Sequence, residues 1–160
     1  MKIKSIKKRC FDQPFVVVGC IIESKGKFLL VQEATVESGQ WNQPAGWLDL
    51  GEKTLAGAKR EAREETGLKI KITGFLGVYS LVSKPNNNYK HAVKLIFCAK
   101  PLSNKISFNK QELMAVRWFS VAEIKKLGQK LRDPDIIQEI KDYQQGSIYP
   151  VTLANNFSTK

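Results

Sequence analysis

A chain of 160 residues, 42% apolar and 26% charged, suits one compact domain and leaves no room for a second of full size. Its longest apolar stretch, Phe15 to Ile22, has eight residues against the roughly 20 that a membrane-spanning helix needs. No signal-type apolar core follows the basic opening residues, so a cytoplasmic protein is expected, with no membrane partner. The net charge of +11 favours phosphate-bearing partners, small or polymeric, without choosing between them.

In chain order, residues 1–14 read as a basic arm, able to touch RNA or acidic surfaces or simply to stand in solvent. The main domain is expected over 15–145. Phe15 to Ile22 and Lys27 to Glu33 are apolar, β-branched runs parted by a Gly26 turn, which predicts a strand pair. Ala34 to Trp47 turns to Gly, Gln, Asn and Pro and predicts a loop that ends in WNQPAGW. Thr54 to Thr66, free of proline and rich in Ala, Glu, Arg and Lys, predicts a helix stopped by a left-handed Gly67, with Leu68 making the apolar contact that often accompanies such a stop.

Extended runs at Ile70 to Ser83 and Lys90 to Lys100 flank the turn KPNNNY, with Asn86 to Asn88 as turn formers. Met114 to Phe119 adds a third run, and an antiparallel arrangement is expected. Ser120 and Glu123 predict a capping box before a short helix, and Asp133 before Pro134 predicts the start of another, with Ile136, Ile137 and Ile140 on its apolar face. Residues 146–160 read as a tail with little periodicity. Hairpins around a central helix, with helices again at the end, predict an α/β fold with a mixed β-sheet covered by helices. Cys10, Cys20 and Cys98 are odd in number and lack metal-site spacing, so reduced thiols are expected, Cys20 and Cys98 as small buried hydrophobes.

Acidity is concentrated. The 23 residues from Gly46 to Leu68 hold five acids and four bases, whereas the other 137 carry 22 bases against 10 acids. At 100° per residue, Glu61, Glu64 and Glu65 share an arc of about 100° on one helix face. At ~5 Å and an effective dielectric of about 20, each pair of carboxylates repels by roughly 3 kcal/mol. Arg60 can reach Glu64 and Arg63 can sit nearby, so a solvated salt-bridge face is one reading. The other is a cation: Leu55, Ala58 and Ala62 set the acids beside a buried boundary, Gly57 implies close backbone approach, and hard oxygen ligands suit Mg²⁺ or Mn²⁺ shared with substrate phosphates.

The stretch Gly46-WLDLG-Glu52-KTLAGAK-Arg60-Glu61-Ala62-Arg63-Glu64-Glu65-Thr66-Gly67-Leu68 resembles the Nudix box, G-x5-E-x7-R-E-U-x-E-E-x-G-U, at every fixed polar and glycine position. Ala62 stands where an aliphatic residue is usual. The strand pair before the box, WNQPAG and RWFSVAEI are also similar to Nudix features, so the resemblance covers roughly Phe15 to Ile140. Gln43 and Ala45 in WNQPAG resemble a bacterial subgroup of phosphatase-like Nudix enzymes with broad nucleotide specificity.

The resemblance implies a Nudix fold, an α/β/α sandwich, and hydrolysis of a nucleoside diphosphate linked to a further group X. It implies that the Gly46 carbonyl with Glu61, Glu64 and Glu65 binds one to three divalent ions. Glu52 would support the ligands, Arg60 would orient a box glutamate, and Gly67 would end the helix. The general base would be a box glutamate or a later acid, for which Glu112 is the candidate. The substrate would be a small nucleotide, and the protein a monomer or homodimer. Removal of pyrophosphate from an RNA 5′ end, a non-catalytic nucleotide-sensing module, and nucleic-acid binding without chemistry are the competing readings.

Outside the box, Trp47 and Tyr79 are candidates to stack on a nucleobase, with Trp41 and Phe75 read as core. Trp118 reads as structural and His91 as a strand residue. Lys84, Lys90 and Lys94 are either phosphate contacts or plain surface lysines.

Overall fold

Apolar runs become strands and the alanine- and glutamate-rich run becomes a helix, as their periodicities dictate. The computed structural model describes residues 13–34, 39–84 and 89–154. Most of the basic arm, including Cys10, the 86–88 asparagine turn and the last six residues lie outside the described residues. Strands β1 (Phe15–Ser24) and β2 (Lys27–Glu33) form a hairpin across Lys25 and Gly26, which both adopt positive φ. The segment expected as a loop contains two short strands, β3 (Trp41–Asn42), paired with β2, and β4 (Ala45–Trp47), paired with β1. Neighbouring backbones define these strands, so no side-chain alternation announces them.

Helix α1 spans Thr54–Thr66 and ends at Gly67 with φ of 72°, whose N–H donates to the Arg63 carbonyl. A side chain there would be strained and would strike Ser107. Leu68 is fully buried beyond it. Next come β5 (Ile70–Ser83), β6 (Lys90–Pro101), β7 (Leu113–Phe119), α2 (Val121–Leu127) and α3 (Ile136–Gln144). The reciprocal bonds of the Ser120–Glu123 capping box are both present at α2. The expected helix start at Asp133 and Pro134 is corrected: α3 begins after Asp135, and no aspartate side chain caps it. The Asp133 carboxylate instead accepts from Asn42, and that of Asp135 from Lys94.

The strand order is β3-β2-β1-β6-β5, with β4 also paired to β1 and β7 to β2. β1 and β6 run parallel over Phe15–Ile22 and Ala92–Ala99, whereas β5 and β6 are antiparallel, so the sheet is mixed. Both faces are apolar. Val18, Cys20, Ile22, Leu29 and Val31 pack with Ala58 and Ala62 of α1. Ile21, Leu30, Ile96 and Cys98 pack on the other face with Ile124 of α2 and with Ile136 and Ile140 of α3. Continuous apolar runs such as Phe15 to Ile22 are what a strand covered on both sides requires. The result is an α/β/α sandwich. Beyond α3 the chain returns to β5, where Phe75 and Tyr149 exchange two backbone hydrogen bonds of 2.8 Å. Among the described residues, no helix is long and apolar enough to cross a membrane.

Candidate active site

The site is built where β4 meets α1. Gly57 lets the helix lie against the sheet: a Cβ there would come within 3.0 Å of both Val18 and Leu48 and 2.8 Å of Glu52. At Gly46 a Cβ would fall 2.3 Å from the Glu61 carboxyl carbon, so this carboxylate lies directly against the Gly46 backbone. One residue earlier, the Ala45 N–H donates to Glu65 Oε2 at 3.0 Å. Two acids four residues apart on α1, Glu61 and Glu65, thus face two successive residues of one short strand.

Arg60 organises the helix side. Its Nε and Nη2 donate to the two oxygens of Glu52 at 2.8 and 2.9 Å. Its Nη1 donates to Glu61 at 2.6 Å and Glu64 at 3.1 Å, and Nη2 also donates to the Trp47 carbonyl at 3.0 Å. The guanidinium holds the Glu52 carboxyl below the usual carboxylate range, and Glu52 and Glu61 in turn push the Arg60 pKa up. Burial, reinforced by the charges of Glu61 and Glu33, pushes Glu65 well above its ordinary value. Glu64 is exposed.

No three acidic, cysteine or histidine side chains among the described residues converge tightly enough to hold an ion as they stand. Glu61 and Glu64 both turn to Arg60. The donor set is nevertheless all oxygen, with a carboxylate pressed on a glycine backbone and a second, Glu65, raised in energy by like charges. That chemistry suits a hard divalent cation.

The structure brings Gly46, Glu52, Arg60, Glu61, Glu64 and Glu65 together. Trp47 lies beside Gly46 with its indole stacked flat on Phe15, centroids 4.2 Å apart and planes 4° from parallel. Tyr79 is not brought to this group: it packs on the α3 face and donates its hydroxyl to Asp142 at 2.8 Å. Glu112 is exposed at the start of β7, its carbonyl accepting from the Ala34 N–H beside the end of β2. Trp41 and Phe75 are buried. Trp118 packs against the α1-side core, and His91 Nε2 lies 2.8 Å from Ser80 Oγ on the neighbouring strand.

Two readings missed charged groups. Glu33, at the end of β2, faces Glu65 electrostatically and pairs with Arg132. A lone strand-terminal acid and an arginine 99 positions later carry no motif. Lys94 is neither a surface lysine nor a phosphate contact, because it is 1% exposed and its Nζ lies 2.8 Å from Glu139 and 2.9 Å from Asp135. Burial alone would depress this ammonium, yet Glu139 and Asp135 outweigh burial and push its pKa up.

A family model described as a NUDIX domain matches residues 13–140. The chain is 32% identical over 151 residues to a protein described as phosphatase NudJ from Shigella boydii serotype 4, covering 91% of this chain and 94% of that protein. Its counterpart from Escherichia coli strain K12 is 31% identical with the same coverage. Among solved structures, a NUDIX hydrolase from Nitrosomonas europaea superposes with a TM-score of 0.83 at 29% identity, covering 91% of this chain and 98% of that one. Fold, site and relatives together define a class, the hydrolases that act on phosphoric anhydride bonds. Within that class, the chain belongs to the Nudix family.

Proposed function

We propose that this enzyme is a divalent-metal-dependent pyrophosphohydrolase that cleaves a nucleoside diphosphate linked to X. Nucleoside di- and triphosphates rank first as substrates, then nucleotide sugars and ADP-ribose. The observation that carries this reading is the contact of Glu61 with the Gly46 backbone, one residue from the bond between Ala45 and Glu65. The Gly46 carbonyl, Glu61, Glu64 and Glu65 would hold Mg²⁺ or Mn²⁺, which when bound neutralises phosphate charge and acidifies water.

The chain's own residues do the rest. Arg60, anchored on Glu52, fixes the rotamers of Glu61 and Glu64. Burial and the neighbouring acids raise the Glu65 pKa well above its ordinary value, and a box glutamate would serve as the base that takes a proton from water. Glu112 is the alternative base. Trp47, held flat on Phe15, offers a rigid aromatic rim to a base. The relatives' description as phosphatases supports phosphate chemistry. A cytoplasmic setting goes with this reading: Cys20 and Cys98 are free buried thiols, and burial pushes the Cys98 pKa up to about 12.

The test is phosphate and pyrophosphate release over a nucleotide panel with Mg²⁺, Mn²⁺ or EDTA. Metal-dependent release from free nucleotides is expected, with Glu64→Gln lowering turnover by orders of magnitude while the circular dichroism spectrum is unchanged. Release only from 5′-triphosphorylated RNA would instead establish the RNA reading. A fully active, folded Glu64→Gln protein would remove the assignment.

A further inference from the structure

A line of buried polar contacts joins the far side of the sheet to the residues that face α1. Lys94 on β6 is 1% exposed, and its Nζ donates to both Asp135 oxygens at 3.0 and 2.9 Å and lies 2.8 Å from Glu139 Oε1. Glu139 on α3 is fully buried, and its other oxygen accepts from Gln43 Nε2 at 2.5 Å. Gln43 is 1% exposed, and its own Oε1 has no partner among the described residues. Immediately before it, Asn42 Nδ2 donates to Asp133 at 3.0 Å while Asn42 Oδ1 accepts from the Gln43 N–H at 3.0 Å.

Immediately after it, the Pro44 carbonyl accepts from Cys20, Ala45 donates to Glu65, and Gly46 lies under Glu61. The five residues from 42 to 46 therefore cross the end of the sheet. They are tied to the α3 side by two side chains and to the α1 side by backbone.

Stability alone does not account for this arrangement. A buried lysine–glutamate pair returns little more than its desolvation costs, and apolar residues of similar volume would hold the same helix to the same strand. An acceptor left unpaired on Gln43 is a further cost. What the pair does supply is an acceptor fixed by Lys94 from one side and by α3 from the other, at which a strand-borne amide can be aimed.

We propose that Gln43 is a positioning residue, and that the Lys94–Glu139 pair sets through it the placement of Ala45 and Gly46 against the acids of α1. The cation-binding half of the site is then aligned from the opposite face of the sheet. This inference rests on the metal-dependent reading given above.

The test compares Gln43→Met, which keeps length but cannot donate, with Gln43→Glu and with the exchange Gln43→Glu/Glu139→Gln, in which donor and acceptor trade places. Two readouts are taken: the Ala45 amide proton shift in metal-free, alanine-labelled protein, and Mn²⁺ affinity from the spin resonance of free Mn²⁺. Gln43→Met and Gln43→Glu are expected to move the Ala45 proton upfield and to weaken Mn²⁺ binding about 10-fold or more, with the exchange restoring both. If Gln43→Glu does not fold, recovery of fold and Ala45 shift in the exchange carries the same conclusion.

A Gln43→Met protein with lower thermal stability but the wild-type Ala45 shift and Mn²⁺ affinity would overturn the inference. The proton shift needs no metal, so a wild-type protein that binds no Mn²⁺ would defeat the functional reading while leaving the positioning separately measurable.

Discussion

Arg60 engages Glu52, Glu61, Glu64 and the Trp47 carbonyl at once, which only a planar five-donor fork can do. Arg60→Lys keeps the charge and loses the fork. It is expected to lower apparent Mg²⁺ affinity or kcat by about 10- to 100-fold, measured from rates titrated with Mg²⁺. The contact of Arg60 with Glu64 was legible because four-residue spacing on a helix is a geometric certainty once the helix is recognised. The partnerships of Glu33 with Arg132 and of Lys94 with Glu139 were not. Such pairs join distant segments, and a solvated lysine and a buried one are the same letter.

At the scale of elements, legibility followed local chemistry. The limits of α1 were readable from its composition and from Gly67, and those of β5 from its apolar run. Strands β3 and β4, two and three residues long, exist through pairing with β2 and β1 and have no period of their own. The start of α3 was misplaced: the Asp133 carboxylate, expected at the helix start, accepts from distant Asn42, and the helix begins only at Ile136. The capping box of α2 is local, and both of its bonds form. Ser120→Ala is therefore expected to cost about 1 kcal/mol of unfolding free energy, measured by urea titration, without altering turnover.

For the whole molecule, the class of fold was readable but the parallel partnership of β1 and β6 was not, since no local signal says which distant strand lies beside a buried run. Another distant contact, between Lys94 on β6 and Glu139 on α3, makes stability depend on pH. Burial outweighs Lys94 and pushes Glu139 from an ordinary 4.5 up to about 7. Between those values the folded protein keeps a proton that the unfolded chain has released, so this contribution is complete below the lower value. It is lost as pH rises through the upper one. At 1.36 kcal/mol per pH unit the loss is about 3 kcal/mol. Urea unfolding between about pH 5 and about pH 8 should show the decline, and Glu139→Gln should make it shallower. An unchanged slope would show that Glu139 titrates normally.

The parallel alignment of Phe15–Ile22 with Ala92–Ala99 also dictates an order of events during synthesis. A ribosome finishes the acid-bearing helix well before it makes β6, the strand that completes the floor beneath it. A nascent chain halted in that interval carries every letter of the box but only β1 to β4 of the sheet, so catalytic competence is expected to arrive with the second half of the polypeptide rather than with the motif itself.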